Sequence, residues 1–193
     1  MKYFWLSITF LFLNCKEFGG EIKQEIELNS PKKDSITAEK NEIPKGAITA
    51  DFLGNQDSLY AFVKNHDSAN ETTIIGFQNN ILPDIIIPES IGSDLHVLKL
   101  KNFQADILLV NAKLKDTNFN EYYLFVWQDS IWKQPVNRFN IHKSNMSDTL
   151  IPISNNPKDS TQLLRYYSVF EMDGESEKKF TWKLMTENVS INE

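Results

Sequence analysis

Cysteine occurs once in the 193 residues, as Cys15, arginine twice, as Arg138 and Arg165, and histidine three times, as His66, His96 and His142. A single thiol closes no intramolecular disulfide and supplies neither a CxxC pair nor a cysteine zinc cluster. Two arginines among 20 basic residues, in a chain of net charge -6, leave no concentrated basic surface to displace counterions from a phosphate backbone. Nucleic acid is therefore not an expected partner. The seven glycines form no Gly-rich run ahead of a Lys-Ser or Lys-Thr pair, which excludes a phosphate loop. The longest apolar run, near the start, is about half the ~20 residues a helix needs to cross hydrocarbon, which argues against a permanent transmembrane helix.

What the chain does have is 41% hydrophobic and 12% aromatic residues, enough for a real core in one domain plus a short extra segment. From Lys16 to Ala47 the sequence is dense in Lys and Glu and nearly free of aromatics. Such a stretch buries too little apolar surface to offset its ordering entropy, so it reads as a flexible linker. Beyond it come short apolar or alternating segments bounded by Asn, Asp, Gly, Ser and Pro, the texture of strands and turns. Strands are expected at 48–52, 58–64, 72–78, 84–87, 96–100, 106–111, 122–127, 131–133, 163–171 and 180–186. No segment holds a helical period. The expected fold is all-β, with antiparallel hairpins and a meander forming a small sheet assembly, sandwich or partial propeller-like, over residues 48–193.

Two hairpins are signalled, one across Gln128-Asp129-Ser130 and a longer one around Asp173-Gly174. At a period of two, Tyr122, Leu124 and Val126 share one face of a strand, and Tyr123, Phe125 and Trp127 share the other. Both faces are apolar, so this strand is either covered on both sides or open to a partner on one.

Catalytic chemistry finds little support. No histidine has a second histidine or cysteine at metal-ligand spacing. Ile91-Gly92-Ser93-Asp94 lacks the second glycine of a nucleophile elbow. Glu171 and Asp173 read as solvated turn charges rather than a glycosidase pair. No cofactor is implied. The richest feature is aromatic: Tyr122, Trp127, Trp132, Tyr166 and Trp182 are the candidate binding surface, because Tyr and Trp join an apolar body to a polar tip. The competing reading makes most of them cross-strand core pairs.

The first residues carry Lys2, then an apolar run to Leu13, then Leu11-Phe12-Leu13-Asn14-Cys15 and an abrupt switch to charge. This segment resembles a bacterial lipoprotein signal peptide ending in a lipobox, with Phe12, Leu13 and Asn14 closer to the looser boxes of Bacteroidetes-type lipoproteins. The resemblance implies removal of residues 1–14, lipidation of Cys15, and residence in the cell envelope, at the outer membrane or cell surface ahead of the inner membrane. The C-terminal part is similar to that of uncharacterised lipoproteins of the same type.

A second likeness is internal. ITADFLGNQDSLYAFVK can be laid beside VLKLKNFQADILLVNAK, each a strand, a polar turn and a strand. The first copy resembles the FG-GAP or integrin-alpha β-propeller repeat, with Asp51, Gly54 and Asn55 at its first ligand, glycine and third ligand. Leu53, Gln56 and Leu59 replace two ligands and a glycine, so this degenerate loop is expected to hold calcium weakly or not at all. Taken together, these readings point to a membrane-anchored envelope lipoprotein with a non-catalytic β domain binding a protein or glycan. A divergent envelope hydrolase and a structural accessory subunit are the alternatives.

Overall fold

The computed structural model describes residues 42–191. Cys15, the signal-like segment 1–14 and linker residues 15–41 lie outside the described residues.

The described chain is all-β, with twelve strands in three antiparallel sheets and two single-turn 3-10 helices. The first sheet is a meander of β1 (Ile48–Ala50), β2 (Leu59–Asp67), β3 (Thr72–Phe77) and β4 (Ile85–Ile87). The second runs β5 (Ser93–Leu98), β6 (Ile107–Lys113), β7 (Phe119–Gln128) and β8 (Ile131–Lys133), and β9 (Phe139–His142) also pairs with β7. The third consists of β10 (Ile153–Asn155), β11 (Gln162–Met172) and β12 (Phe180–Ser190). Among the described residues no helix is long and apolar enough to cross a membrane.

The alternation of side chains explains why the sheets stack. Leu59 and Ala61, Ile75 and Phe77, and Ile85 and Ile87 project from the first sheet into one core. Leu108, Val110, Ala112, Tyr123 and Phe125 enter the same core from the second sheet. The intervening residues of the second sheet, Ile107, Leu109, Tyr122, Leu124 and Val126, enter another core, shared with Ile153 and Leu163 of the third. The middle sheet is therefore covered on both faces, and β7 is the doubly apolar strand that its sequence describes. Each fully buried Leu, Ile, Val or Phe contributes about 1.5–3 kcal/mol relative to exposure.

All ten expected strands are present, with ends shifted by a few residues. β9 and β10 are additional. β9 closes against Phe119–Tyr122 of β7, whereas β10 adds three residues to β11. The β7–β8 connection is tighter than three residues, because Gln128 pairs with Ile131. Asp129 (φ 54°) and Ser130 (φ 62°) alone make the turn, both at the positive φ that a type I′ hairpin requires. The Asp173-Gly174 hairpin is long, joining eleven-residue strands in continuous register from Gln162↔Ser190 to Met172↔Phe180.

Candidate functional site

The two similar segments fold as the β1–β2 and β5–β6 hairpins, and the loops at their ends lock together. Asp106 N donates to Asp51 O (2.8 Å), and Asp51 N donates back to Asp106 Oδ2 (3.0 Å). Gln104 Nε2 donates to Gly54 O at 2.8 Å. Gly54 sits at φ +69°, and a Cβ there would stand 3.2 Å from Ala105 N, so glycine is required both for backbone conformation and for the approach of the second loop.

Beside this junction opens a cleft of about 610 Å³, within the usual size of small-ligand sites. Its apolar lining includes Leu53, Phe103, Val126, Trp127 and Pro135. Its polar lining is Asn102, Gln104, Gln128 and Lys133. Lys133 Nζ is paired with Asp129 Oδ2 at 2.9 Å, and among the described residues no Asp, Glu or His lines the cleft.

The degenerate calcium-like loop spends its oxygens on itself. Asp51 accepts the backbone N–H groups of Asn55 (3.1 Å) and Gln56 (2.9 Å). The Asn55 carboxamide exchanges bonds with Asp57, donating Nδ2–H to its carboxylate and accepting its N–H. These bonds shape the loop mouth. Among the described residues, no group of three or more His, Cys, Asp or Glu side chains is placed to hold a metal ion.

The aromatic residues singled out from the sequence do not form one surface. Tyr122 is 5% exposed and stacks on Phe139 in the core between the second and third sheets, so it presents nothing to a partner. Trp132 stacks on Phe77 and donates its indole N–H to Pro83 O at 2.9 Å, and Tyr166 packs against the second core. Trp127 is half-buried, edge-on to Trp132, and lines the cleft. Trp182 belongs elsewhere, on the β11–β12 ribbon. The cross-strand core role thus accounts for most of these rings, for the reason β-sheets generally favour them.

On the ribbon, Trp182 lies opposite Phe170, and Phe180 opposite Met172. Phe170 stacks on Phe180 (5.1 Å) and meets Trp182 edge-on (5.5 Å). Trp182 in turn stacks on His142 (5.0 Å) and receives the edge of Phe119 (4.9 Å). Burial against these rings, and Lys143 beside it, hold His142 below its ordinary pKa. Neutral, its Nδ1 accepts the backbone N–H of Ser144. Asn145 Nδ2 donates to Trp182 O (2.9 Å) and fixes the ribbon on the turn after β9. Beyond this anchorage Phe170 (53% exposed), Met172 (76%) and Phe180 (41%) face solvent.

The sequence reading passed over Phe119, Phe170 and Phe180. Their signal was the placement of Phe170 and Met172 before Asp173-Gly174, mirrored by Phe180 and Trp182 after it. Asn102, Gln104 and Gln128 carried no signal beyond lying in turns.

Both arginines are engaged in pairs. Arg138 donates to the Tyr123 hydroxyl (3.1 Å), which donates to buried Glu121 (2.7 Å), and Arg138 Nε lies 3.5 Å from Glu121 Oε1. Burial pushes the Tyr123 phenol up to about 12. Arg165 pairs with Glu187 and lies 5.6 Å from the centroids of both Phe139 and Tyr167. Glu171 pairs with Lys183, and the Asp173 carboxylate caps the N–H groups of Glu175 and Ser176.

Comparison with known protein families, with curated proteins and with solved structures finds no match to this chain.

Proposed function

We propose that the protein is a lipid-anchored lipoprotein of the bacterial cell envelope whose β domain is a non-catalytic binding module. Cys15 is the anchor, with the outer membrane or cell surface as its site, and a protein partner docks on the outer end of the β11–β12 ribbon. The observation that carries this reading is the contiguous cluster of Phe170, Met172, Phe180 and Trp182, three of them strongly exposed. Exposed apolar patches of this kind mark interaction sites, and aromatic anchors commonly dominate the energetics of such contacts. Removing water from Phe170 or Phe180 is worth on the order of 1–2 kcal/mol each, given that each ring is already partly covered. The ribbon is also supported: Asn145 and the His142–Trp182 stack hold its base, so little ordering entropy opposes docking.

The test is the double variant Phe170→Ser with Phe180→Ser in the full chain, extracted in detergent from the envelope. These side chains lie outside both cores, so the melting temperature should stay within a few degrees of the unaltered protein. The specific envelope protein retained by the unaltered chain should be lost. Retention of the same partner by the variant would remove the docking claim.

A further inference from the structure

The cleft at the locked hairpin loops has no role in the ribbon-docking reading, yet its chemistry is selective. From its lining we infer that it is a binding site for a neutral saccharide, a short oligosaccharide chain.

Charge excludes most other small ligands. Among the described residues, the only ionisable one lining the cleft is Lys133, and Asp129 neutralises it at 2.9 Å. Among these residues an anion finds no uncompensated cation, and a cation finds no carboxylate. The polar groups present are carboxamides, and their free valences point to hydroxyl partners. Gln104 spends its Nε2–H on Gly54 O, leaving Oε1 as an acceptor. Asn102 donates to Ser160 O and likewise keeps an acceptor. The Gln128 carboxamide makes no hydrogen bond among the described residues and is exposed, so it offers both a donor and an acceptor. Hydroxyl groups donate and accept at once, and a pyranose presents several of them around a ring whose C–H face is apolar.

The apolar half of the site suits that face. Trp127 lines the cleft with Phe103 and Val126, and its position is fixed by edge contact with Trp132 at 5.3 Å. The Asp51–Asp106 exchange and the Gln104–Gly54 bond hold the loop side of the cleft in place, and the Trp132 contact holds Trp127, so this part of the site is pre-organised. The volume of about 610 Å³ has room for more than one sugar ring. Among the described residues no carboxyl pair of the kind that glycoside hydrolysis uses lines the cleft, so this lining serves to hold a glycan.

The test uses the full-length protein in detergent with cello-, malto-, xylo- and manno-tetraose as probes, read by calorimetry and tryptophan fluorescence. At least one neutral tetraose should bind, shift the fluorescence, and keep its affinity between low and high salt. Gln128→Ala and Asn102→Ala are rim changes away from the cores, and each should weaken binding roughly threefold to tenfold. Gln128→Ala should leave the melting temperature unmoved, and Asn102→Ala, which also loses the bond to Ser160 O, should lower it by no more than a few degrees. Trp127→Ala serves as a second arm, abolishing binding but also costing some stability. Absence of binding by all four tetraoses at millimolar concentration would overturn the inference. So would affinity that falls steeply with salt, or that is unchanged in both Gln128→Ala and Asn102→Ala. Because the ribbon variants leave this cleft untouched, failure here and failure of protein docking are separate results.

Discussion

Two neighbouring residues of β7, Leu124 and Phe125, give a direct test of the stacked architecture. They are adjacent in sequence but project into different cores, Leu124 at 0% and Phe125 at 5% exposure. A Leu→Ala change in a closed site costs about 2–5 kcal/mol, and Phe→Ala about 3–5 kcal/mol, from lost transfer free energy plus the cavity left behind. For a domain of this size each kcal/mol lowers the melting midpoint by about 2–4 °C, so each variant should melt on the order of 4–20 °C lower. A domain above the lower end of the usual ~5–15 kcal/mol of total stability survives either change alone, which keeps the comparison measurable. Urea denaturation followed by tryptophan fluorescence and circular dichroism gives both free energies. If one variant cost less than about 1 kcal/mol while the other cost several, one face of the middle sheet would be open to solvent, and the three-layer account would fail.

Gly54→Ala forces a Cβ onto a residue at φ +69° and to within 3.2 Å of Ala105 N. It should destabilise by about 1–3 kcal/mol, and an unchanged melting temperature would show that the two loops are not locked. Folding raises the Tyr123 pKa from the ordinary ~10 of a free phenol to about 12. Its contribution to stability is therefore full below pH 10 and lost as pH rises through about 12, because the unfolded state releases its proton first. Absorbance at 295 nm should show buried tyrosines ionising only as the fold is lost. Complete ionisation near pH 10 with circular dichroism intact would contradict this. Cys15→Ala should abolish incorporation of a labelled fatty acid and release the protein from membranes, since durable anchoring needs more than one acyl chain at ~0.8 kcal/mol per methylene. Continued labelling of the variant would refute lipidation at Cys15.

The sequence is most legible where local pattern and tertiary role coincide. The alternation of Tyr122 through Trp127 gives each face of the strand its own apolar set, which leaves it covered on both sides or open on one, and the two cores decide for cover on both. β9 and β10 escape this reasoning. Four residues and three residues are too short to show a period; β9 pairs back across an intervening strand to Phe119–Tyr122, and β10 pairs with Leu163–Arg165 through a polar connection that carries no two-residue turn signal. Pro152 and Pro157 on either side of β10 further disguise it as loop. The ribbon extends to Ser190, beyond the expected end near residue 186, because Glu187 finds Arg165 and Val189 finds Leu163 across the strands. The cleft was harder still. Similarity between the two hairpins was visible, but their contact joins Gly54 to Gln104 and Asp51 to Asp106, pairings that no local pattern encodes. Tyr122 drew attention as a surface residue for its type alone, while its position opposite buried neighbours placed it in the core.

The most direct test of the docking claim places a photo-crosslinking amino acid at Met172 of the full chain in intact cells, with the same substitution at Ile86 as control. Both positions are exposed, but Ile86 lies on the first sheet and Met172 at the end of the ribbon. The account predicts one dominant protein adduct from position 172, absent from position 86 and abolished by Phe170→Ser with Phe180→Ser. Equal adducts from both positions, or none from position 172, would contradict it.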